Sequence, residues 1–271
     1  MADKGRIERR SSQTGKRPDR PQRPGLVRKP NEPPVPEGLD LRALHRSVRA
    51  ELRGLPKELA EIVAAHLVAA GQLIDDDPEL AYAHAEAARR RAARLPIVRE
   101  AAAETAYAAG HYDAALSELR AIRRMTGADD FVPMMADCER ALGRPEAALK
   151  LAKEARPLRL DPAQRVEMIL VEAGARADLG QSAESLRILA EAASQINAPA
   201  APPIAVARLR YAYADALLQR GASADARTWF RAATKLDPHG ETDAKARLDE
   251  LDGLVLDLDE ADLETPSAVQ E

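Results

Sequence analysis

In 271 residues the chain has one cysteine, two phenylalanines, one tryptophan and five tyrosines. The lone thiol, Cys138, excludes an internal disulfide and a cysteine-based zinc knuckle, and a chain without disulfides suits a reducing compartment. Aromatic residues are 3% of a composition that is 45% hydrophobic. The core therefore has to come from Ala and Leu, small side chains that suit close-packed helices and argue against a β-sandwich. No apolar run approaches the roughly 20 residues that span a bilayer, and the basic, Pro-rich N-terminus lacks the apolar stretch of a signal peptide. Neither membrane anchoring nor export is expected, and the cytoplasm is the expected location.

The net charge of -4 conceals two ends of opposite sign. Residues 1–38 hold ten Lys/Arg against five Asp/Glu, residues 241–271 hold two against eleven, and the stretch between is neutral. Residues 1–38 also carry seven prolines and few apolar side chains, too little to offset the entropy of ordering. The reading divides the chain into a disordered basic arm (1–38), a helical domain (39–252) and an acidic tail (253–271). Order is predicted to begin at Asp40 as an N-cap, since Leu41, Leu44, Val48, Leu52 and Leu55 recur at helical spacing. Gly54 and Pro56 end that helix, a second places Leu59, Ile62, Val63, Leu67, Ala70 and Ile74 on one face, and Asp77-Pro78 opens a third.

From Pro96 onward the chain repeats itself. Gly110, Gly143, Gly180 and Gly221 each follow an amphipathic segment, at intervals of 33, 37 and 41 residues, and five residues after them stand Ala115, Ala148, Ser185 and Ala226. A glycine there ends one helix in a left-handed turn, and a small residue lets the next helix approach closely. The pattern predicts helical hairpins stacked on one continuous core.

These residues resemble the tetratricopeptide motif. The last unit matches best, with Tyr213-Ala214 and Leu217 in the first helix, Gly221 in the turn, Ala226, Phe230 and Ala233 in the second helix and Pro238 at the exit. Ala103, Gly110, Tyr112, Ala115 and Leu119 carry a second match, and Ala136, Gly143, Ala148, Ala152 and Ala155 a third. The segments RKPNEPPVPEG, RMTGADDFVPMMADCERALGRPEAAL and YAYADALLQRGASADARTWF also look like a family of actinobacterial tetratricopeptide proteins with no assigned reaction. The resemblance implies a right-handed α-solenoid of about five hairpins, the first of them degenerate at residues 56–95. It implies, further, a concave groove that recognises a protein or peptide.

The candidates for chemistry read as structure. Cys138 stands between Asp137 and Glu139, whereas a reactive thiolate wants positive neighbours; it reads as a packed small residue. The five histidines, His45, His66, His84, His111 and His239, lack metal-binding spacing, and a His66–His84 meeting across the first hairpin, with no carboxylate on the same face, reads as packing. Asp75, Asp76 and Asp77 precede a proline as a turn and helix start, without the spacing of a calcium loop. No glycine-rich phosphate loop or nucleophile elbow is present. The expectation is therefore a protein that is not an enzyme, with no catalytic residue, cofactor or metal.

Carried over from the resemblance, the groove positions are Glu100, Glu104 and Tyr107, then Asp137 and Arg140, then Leu170 and Asp178, and finally Arg208, Tyr211, Asp215 and Gln219. This mostly acidic lining departs from the Lys/Asn-rich clamp by which chaperone-binding relatives hold a C-terminal carboxylate. It suits a basic, extended, Pro-rich partner, and the chain carries such a stretch in RPDRPQRPGLVRKP, so that contact between arm and groove is expected, with the acidic tail competing for the arm. The alternative is a nucleic-acid- or ribosome-associated factor, using the arm and a stripe formed by Arg89, Arg90, Arg91, Arg94, Arg120, Arg123 and Arg124. A helix at about 241–252 is expected to cap the last repeat, with Leu254, Leu256 and Leu258 packing beyond it.

Overall fold

The computed structural model describes residues 26–36, 38–197 and 200–253. Their regular structure is helical. A 3-10 turn at Leu41–Ala43 precedes α1 (Arg46–Leu52), α2 (Lys57–Leu73), α3 (Pro78–Ala92), α4 (Pro96–Ala108), α5 (Tyr112–Thr126) and α6 (Val132–Ala141). After these come α7 (Pro145–Ala155), α8 (Pro162–Asp178), α9 (Ser182–Gln195), α10 (Pro203–Gln219), α11 (Ser223–Thr234) and α12 (Ala244–Leu251). Each helix packs against the next from α1 to α12, while α2 also touches α4, α6 touches α8 and α8 touches α10. The first members of successive pairs thus share one side of the array.

The glycines close four of these pairs in one way. Gly110, Gly143, Gly180 and Gly221 have φ of 75°, 72°, 73° and 79°. Each donates its N–H three residues back, to Tyr107, Arg140, Ala177 and Leu218. The residue after each donates five residues back, to Ala106, Glu139, Arg176 and Leu217. This paired closure satisfies the carbonyls orphaned at a helix end. The small residues that follow do what their spacing predicts: Ala115, Ala148 and Ala226 are fully buried and Ser185 nearly so. Helix starts are equally local in origin. Asp77 accepts from the Leu80 N–H at 3.0 Å, and Asp161 forms a capping box with Gln164, two bonds of 2.9 Å.

Both ends of the array are closed by apolar packing, at the N-terminal end by Leu52 of α1 with Leu41, Leu44 and Val48 against Val63, Leu67 and Ala88, and that end carries a buried carboxylate as well. At the C-terminal end α12 is the expected cap, burying Ala244 and Leu248 in a cluster with Ala214, Leu217 and the fully buried Phe230. The Arg247 guanidinium lies over the Phe230 ring, 5.6 Å from its centroid. The leucines beyond it and the acidic tail fall outside the described residues.

At the N-terminal end the structure departs from the sequence reading. Residues 1–25 of the expected disordered arm lie outside the described residues, but residues 26–36 lie against α2 and α3, with Glu32 buried. His66 and His84 do meet, Nδ1 to Nδ1 at 3.0 Å, and the carboxylate missing from their own hairpin arrives from Glu32, 3.2 Å from His66 Nε2. Because an ionised carboxylate only accepts, His66 Nε2 donates to Glu32. The neutral ring then has Nδ1 free to accept from His84 Nδ1. Arg91 clamps both Glu32 oxygens at 2.6 and 2.9 Å. Burial raises the Glu32 carboxyl, but the hydrogen bonds and charge of Arg91 prevail and leave it below its ordinary value.

Burial, and then the neighbouring His84, push His66 down from 6.5 to about 4. Above about pH 6.5 the ring is neutral both folded and unfolded; below it the unfolded chain takes up a proton that the folded chain refuses, so stability falls with acidification until pH about 4. Glu32, held below 4.5, adds to the loss in the same direction at lower pH. Urea denaturation at about pH 7 and about pH 5 is expected to show a loss of roughly 2 kcal/mol for this ring; the non-titrating His66→Gln variant should lack that part of the difference. Separately, Gly143→Ala should cost about 1 kcal/mol at its left-handed position, measured in the same assay.

Candidate functional site

The first-member helices α4, α6, α8 and α10 bring a set of polar side chains from distant sequence into one groove of about 620 Å³. Tyr107 near the end of α4 donates its hydroxyl to Asp137 on α6. Arg140, one turn along α6, donates Nε to the other Asp137 oxygen at 3.0 Å and Nη1 to Asp178 at the end of α8 at 3.3 Å. A second chain of charges runs from Glu167 on α8 to Arg208 on α10 at 3.2 Å, and on to Glu241 at 3.7 Å. Between these polar bridges the wall is apolar, made by Phe131, Met134, Leu170 and Val171.

Gly174 explains why Arg140 lies flat across α8. A Cβ at that position would meet Arg140 Cδ and Nε at 3.3 Å, tighter than ordinary contact. Glycine inside a helix costs roughly 0.5–1 kcal/mol relative to alanine, and here the close approach of a guanidinium is what it makes room for. The bridge also alters the phenol. Burial first, then the bond to Asp137, raise the Tyr107 pKa far above its ordinary value, so the hydroxyl stays a donor throughout the physiological range. For Arg140, Asp137 and Asp178 outweigh the cost of burial and keep the guanidinium charged.

Of the residues expected to line one groove, Tyr107, Asp137, Arg140, Leu170 and Arg208 do so, and Asp178 is joined to them through Arg140. Glu100 and Glu104 lie apart, beside a smaller cleft of about 200 Å³ walled by Leu44, Val48 and Ile97. Burial and then Glu104 raise the Glu100 carboxyl, and burial raises that of Glu104 although its side chain remains partly open to water. Tyr211 and Asp215 hold the C-terminal helix, and Gln219 supports Asp215 from within α10, instead of lining the groove. Asp215 receives Arg247 at 3.1 Å and the Gln219 amide at 2.7 Å, while Tyr211 stacks on Phe230 and is bonded to Asp243. Burial and then Asp243 push the Tyr211 phenol up to about 12. The expectation of an acidic groove is thus modified, because Asp137, Asp178 and Glu167 are each paired with arginine.

Phe131, Met134 and Glu167 were not among the expected residues, because they stand at the N-cap of α6 or within the first two turns of α6 and α8, ahead of the groove positions expected on those helices. The one signal in the sequence was Gly174, a glycine inside a helical pattern. The arm contact expected here also lies elsewhere: the described part of RPDRPQRPGLVRKP, from Leu26, runs along the Glu32 cluster at α2 and α3, and its earlier residues are outside the described set. The arginine stripe is largely consumed by carboxylates. Arg89 pairs with Glu86 and Glu118, Arg90 and Arg91 with Glu32, Arg120 with Glu139 and Arg123 with Asp129.

Cys138 packs with Leu116, Leu119 and Met135 in the core, and burial, reinforced by Asp137 and Glu139, pushes its thiol up to about 12. Among the described residues no group of three or more His, Cys, Asp or Glu side chains is placed to hold a metal ion.

Asp137→Asn should bring the Tyr107 phenol part of the way back toward the ordinary tyrosine range, read from tyrosinate ultraviolet absorbance against pH; an unchanged titration would refute the bridge. Gly174→Leu, which displaces Arg140 and leaves the Tyr107–Asp137 bond in place, should not lower the phenol, because it removes a cation and not the carboxylate. No family model matches the sequence, and no curated protein does.

Proposed function

We propose that the chain is a tetratricopeptide-type repeat protein, a right-handed α-solenoid of about five hairpins, that works as a non-catalytic scaffold and binds an extended protein segment in its concave groove. The observation that carries this reading is the groove itself. Its apolar wall of Phe131, Met134, Leu170 and Val171 offers a seat for one or two hydrophobic side chains, and the polar groups around it are held in place by bonds between helices before any partner arrives. Preorganised donors and acceptors lower the ordering cost of binding. Recognition of an extended segment by pockets for alternate side chains is a familiar use of such a surface.

The partner's charge follows from what remains unpaired. Asp137, Asp178 and Glu167 are shared with arginines, while Glu100 and Glu104 near the N-terminal end of the same side have carboxyls raised by burial, that of Glu100 also by the neighbouring Glu104, a situation that a cation relieves. The favoured ligand is therefore an extended, net-basic segment with an apolar residue at its centre. A cytoplasmic location is part of the same proposal; among the described residues no helix is long and apolar enough to cross a membrane.

A second reading, a nucleic-acid- or ribosome-associated factor, draws on a cleft of about 660 Å³ between α5 and α7. There Arg120, Arg123, Arg124 and Lys150 gather over Glu139 and Glu154. Two of those arginines already serve Glu139 and Asp129, which leaves little surplus positive charge for phosphate.

Panning a random-peptide display library on the full-length protein is expected to enrich apolar residues flanked by Lys or Arg. Leu170→Glu should weaken the selected peptides by on the order of a hundredfold, and Glu104→Lys by about tenfold. Selection unaffected by Leu170→Glu would rule out the groove. Capture from cytosol that is lost on nuclease treatment would favour the second reading.

A further inference from the structure

We propose that the N-terminal end of the array is a carboxylate-binding site formed by His66, Arg90 and Arg91, that Glu32 of the chain's own segment 26–36 is its resident ligand, and that an acidic protein segment from outside can take the place of Glu32. This site shares no lining residue with the groove, and the proposal does not rest on the function assigned there.

The receptor is built by α2 and α3 without help from the segment it holds. Arg91 Nη1 donates to the Ala87 carbonyl at 2.8 Å within its own helix, and His66 Nδ1 is held by His84 at 3.0 Å. These contacts aim the Arg91 fork and the His66 Nε2–H at one point, where the Glu32 oxygens sit at 2.6, 2.9 and 3.2 Å. Arg90 adds a second cation at 3.7 Å, and the Lys29 N–H approaches Oε2 at 3.5 Å. The charged and titratable groups facing the carboxylate are thus His66 from α2, with His84 behind it, and Arg90 and Arg91 from α3. A paired guanidinium fork and a third donor around a buried point are the geometry of carboxylate recognition.

The ligand, by contrast, buries that one group among its described residues. Within 26–36, Glu32 is the buried residue; Val27 and Val35 are exposed, and Leu26 and Pro33 are only half-buried. Beyond the carboxylate contacts, the segment's bonds to α3 come down to Arg91 Nη2 and the Val27 carbonyl, at 3.4 Å. Pro30, Pro33, Pro34 and Pro36 stiffen it around a turn in which the Glu32 N–H donates to the Lys29 carbonyl at 3.1 Å, so ordering it costs less entropy. The opposite end of the array shows what a structural cap looks like, with Ala244 and Leu248 buried against Phe230. A segment hung on one carboxylate can leave the helices without uncovering an apolar core. What it uncovers is two arginines and a histidine pair, and leaving Arg91 buried without an anion is costly. The site therefore favours replacement of one carboxylate by another over vacancy.

The test uses full-length protein and a fluorescent peptide of residues 26–36, followed by anisotropy. The Glu32→Ala protein is expected to bind this peptide on the order of a hundredfold more tightly than wild type. A peptide carrying Glu32→Gln should lose that binding, as should the Glu32→Ala, Arg91→Met double variant. An acidic peptide of residues 254–264 should compete. Equal binding by wild type and Glu32→Ala, or no effect of Glu32→Gln in the peptide, would overturn the site; failure of the acidic peptide to compete would overturn its openness to outside ligands. Should Glu32→Ala fold poorly, wild type still decides. Excess unlabelled 26–36 peptide should sharpen the Val27 and Val35 methyl signals as the resident segment is released, and unchanged signals at saturation would show Glu32 to be a fixed structural pin.

Discussion

Close approach of helices through alanine depends on helix ends that turn sharply and leave no carbonyl unsatisfied. At Gly110, Gly143, Gly180 and Gly221 the backbone adopts a left-handed conformation, and the same two hydrogen bonds fold back over the helix end. With the exit direction set, the next helix begins within two residues, and its fifth position past the glycine arrives at the neighbour. A larger side chain than alanine or serine there would hold the helices apart. The scarcity of aromatic residues belongs to this arrangement. Phe230, the largest fully buried side chain, sits at the last pair, where α12 covers it.

From that spacing follows the character of the groove. First-member helices at close, regular separation place Tyr107, Asp137, Arg140 and Asp178 within reach of one another although 71 residues separate the first from the last. Opposite charges on neighbouring helices then pair across the array, as Glu167 and Arg208 also do. Surface pairs of this kind contribute modestly to stability, about 0–1 kcal/mol each. Their larger effect is positional, since they fix side chains that would otherwise sample many rotamers. The groove is consequently a shaped surface, with an apolar wall of fixed place between two polar bridges.

The ends of the array illustrate two solutions to one problem. An array of packed helices always leaves one face at each end without a neighbour. At α12 the solution is apolar burial. At α2 and α3 the leucines of α1 and the turn before it bury part of that face, and the rest, a buried histidine pair and Arg91, is met by a carboxylate from an upstream segment. The second solution is directional and sensitive to protonation, because only one proton fits between two Nδ1 atoms 3.0 Å apart. It also draws on Arg90 and Arg91, two members of the arginine stripe.

The sequence by itself determined the helix boundaries, the turn chemistry and the small buried positions, because each depends on neighbours within about five residues: a glycine that tolerates positive φ, an aspartate that caps, a proline that starts a helix. The resemblance to the repeat motif implied that Tyr107, Asp137 and Arg140 face one side. Tertiary structure decided what those side chains meet. Glu32 looked like one charge in a Pro-rich arm, and its role became visible only where a fold brings it to residues 34 and 59 positions away. Tyr211 and Asp215 were legible as first-helix positions, yet whether they face a groove or a cap depended on where α12 came to rest. Periodicity specifies the face a residue occupies; the partner on that face is set by contacts between distant segments, whose pairing no local pattern encodes.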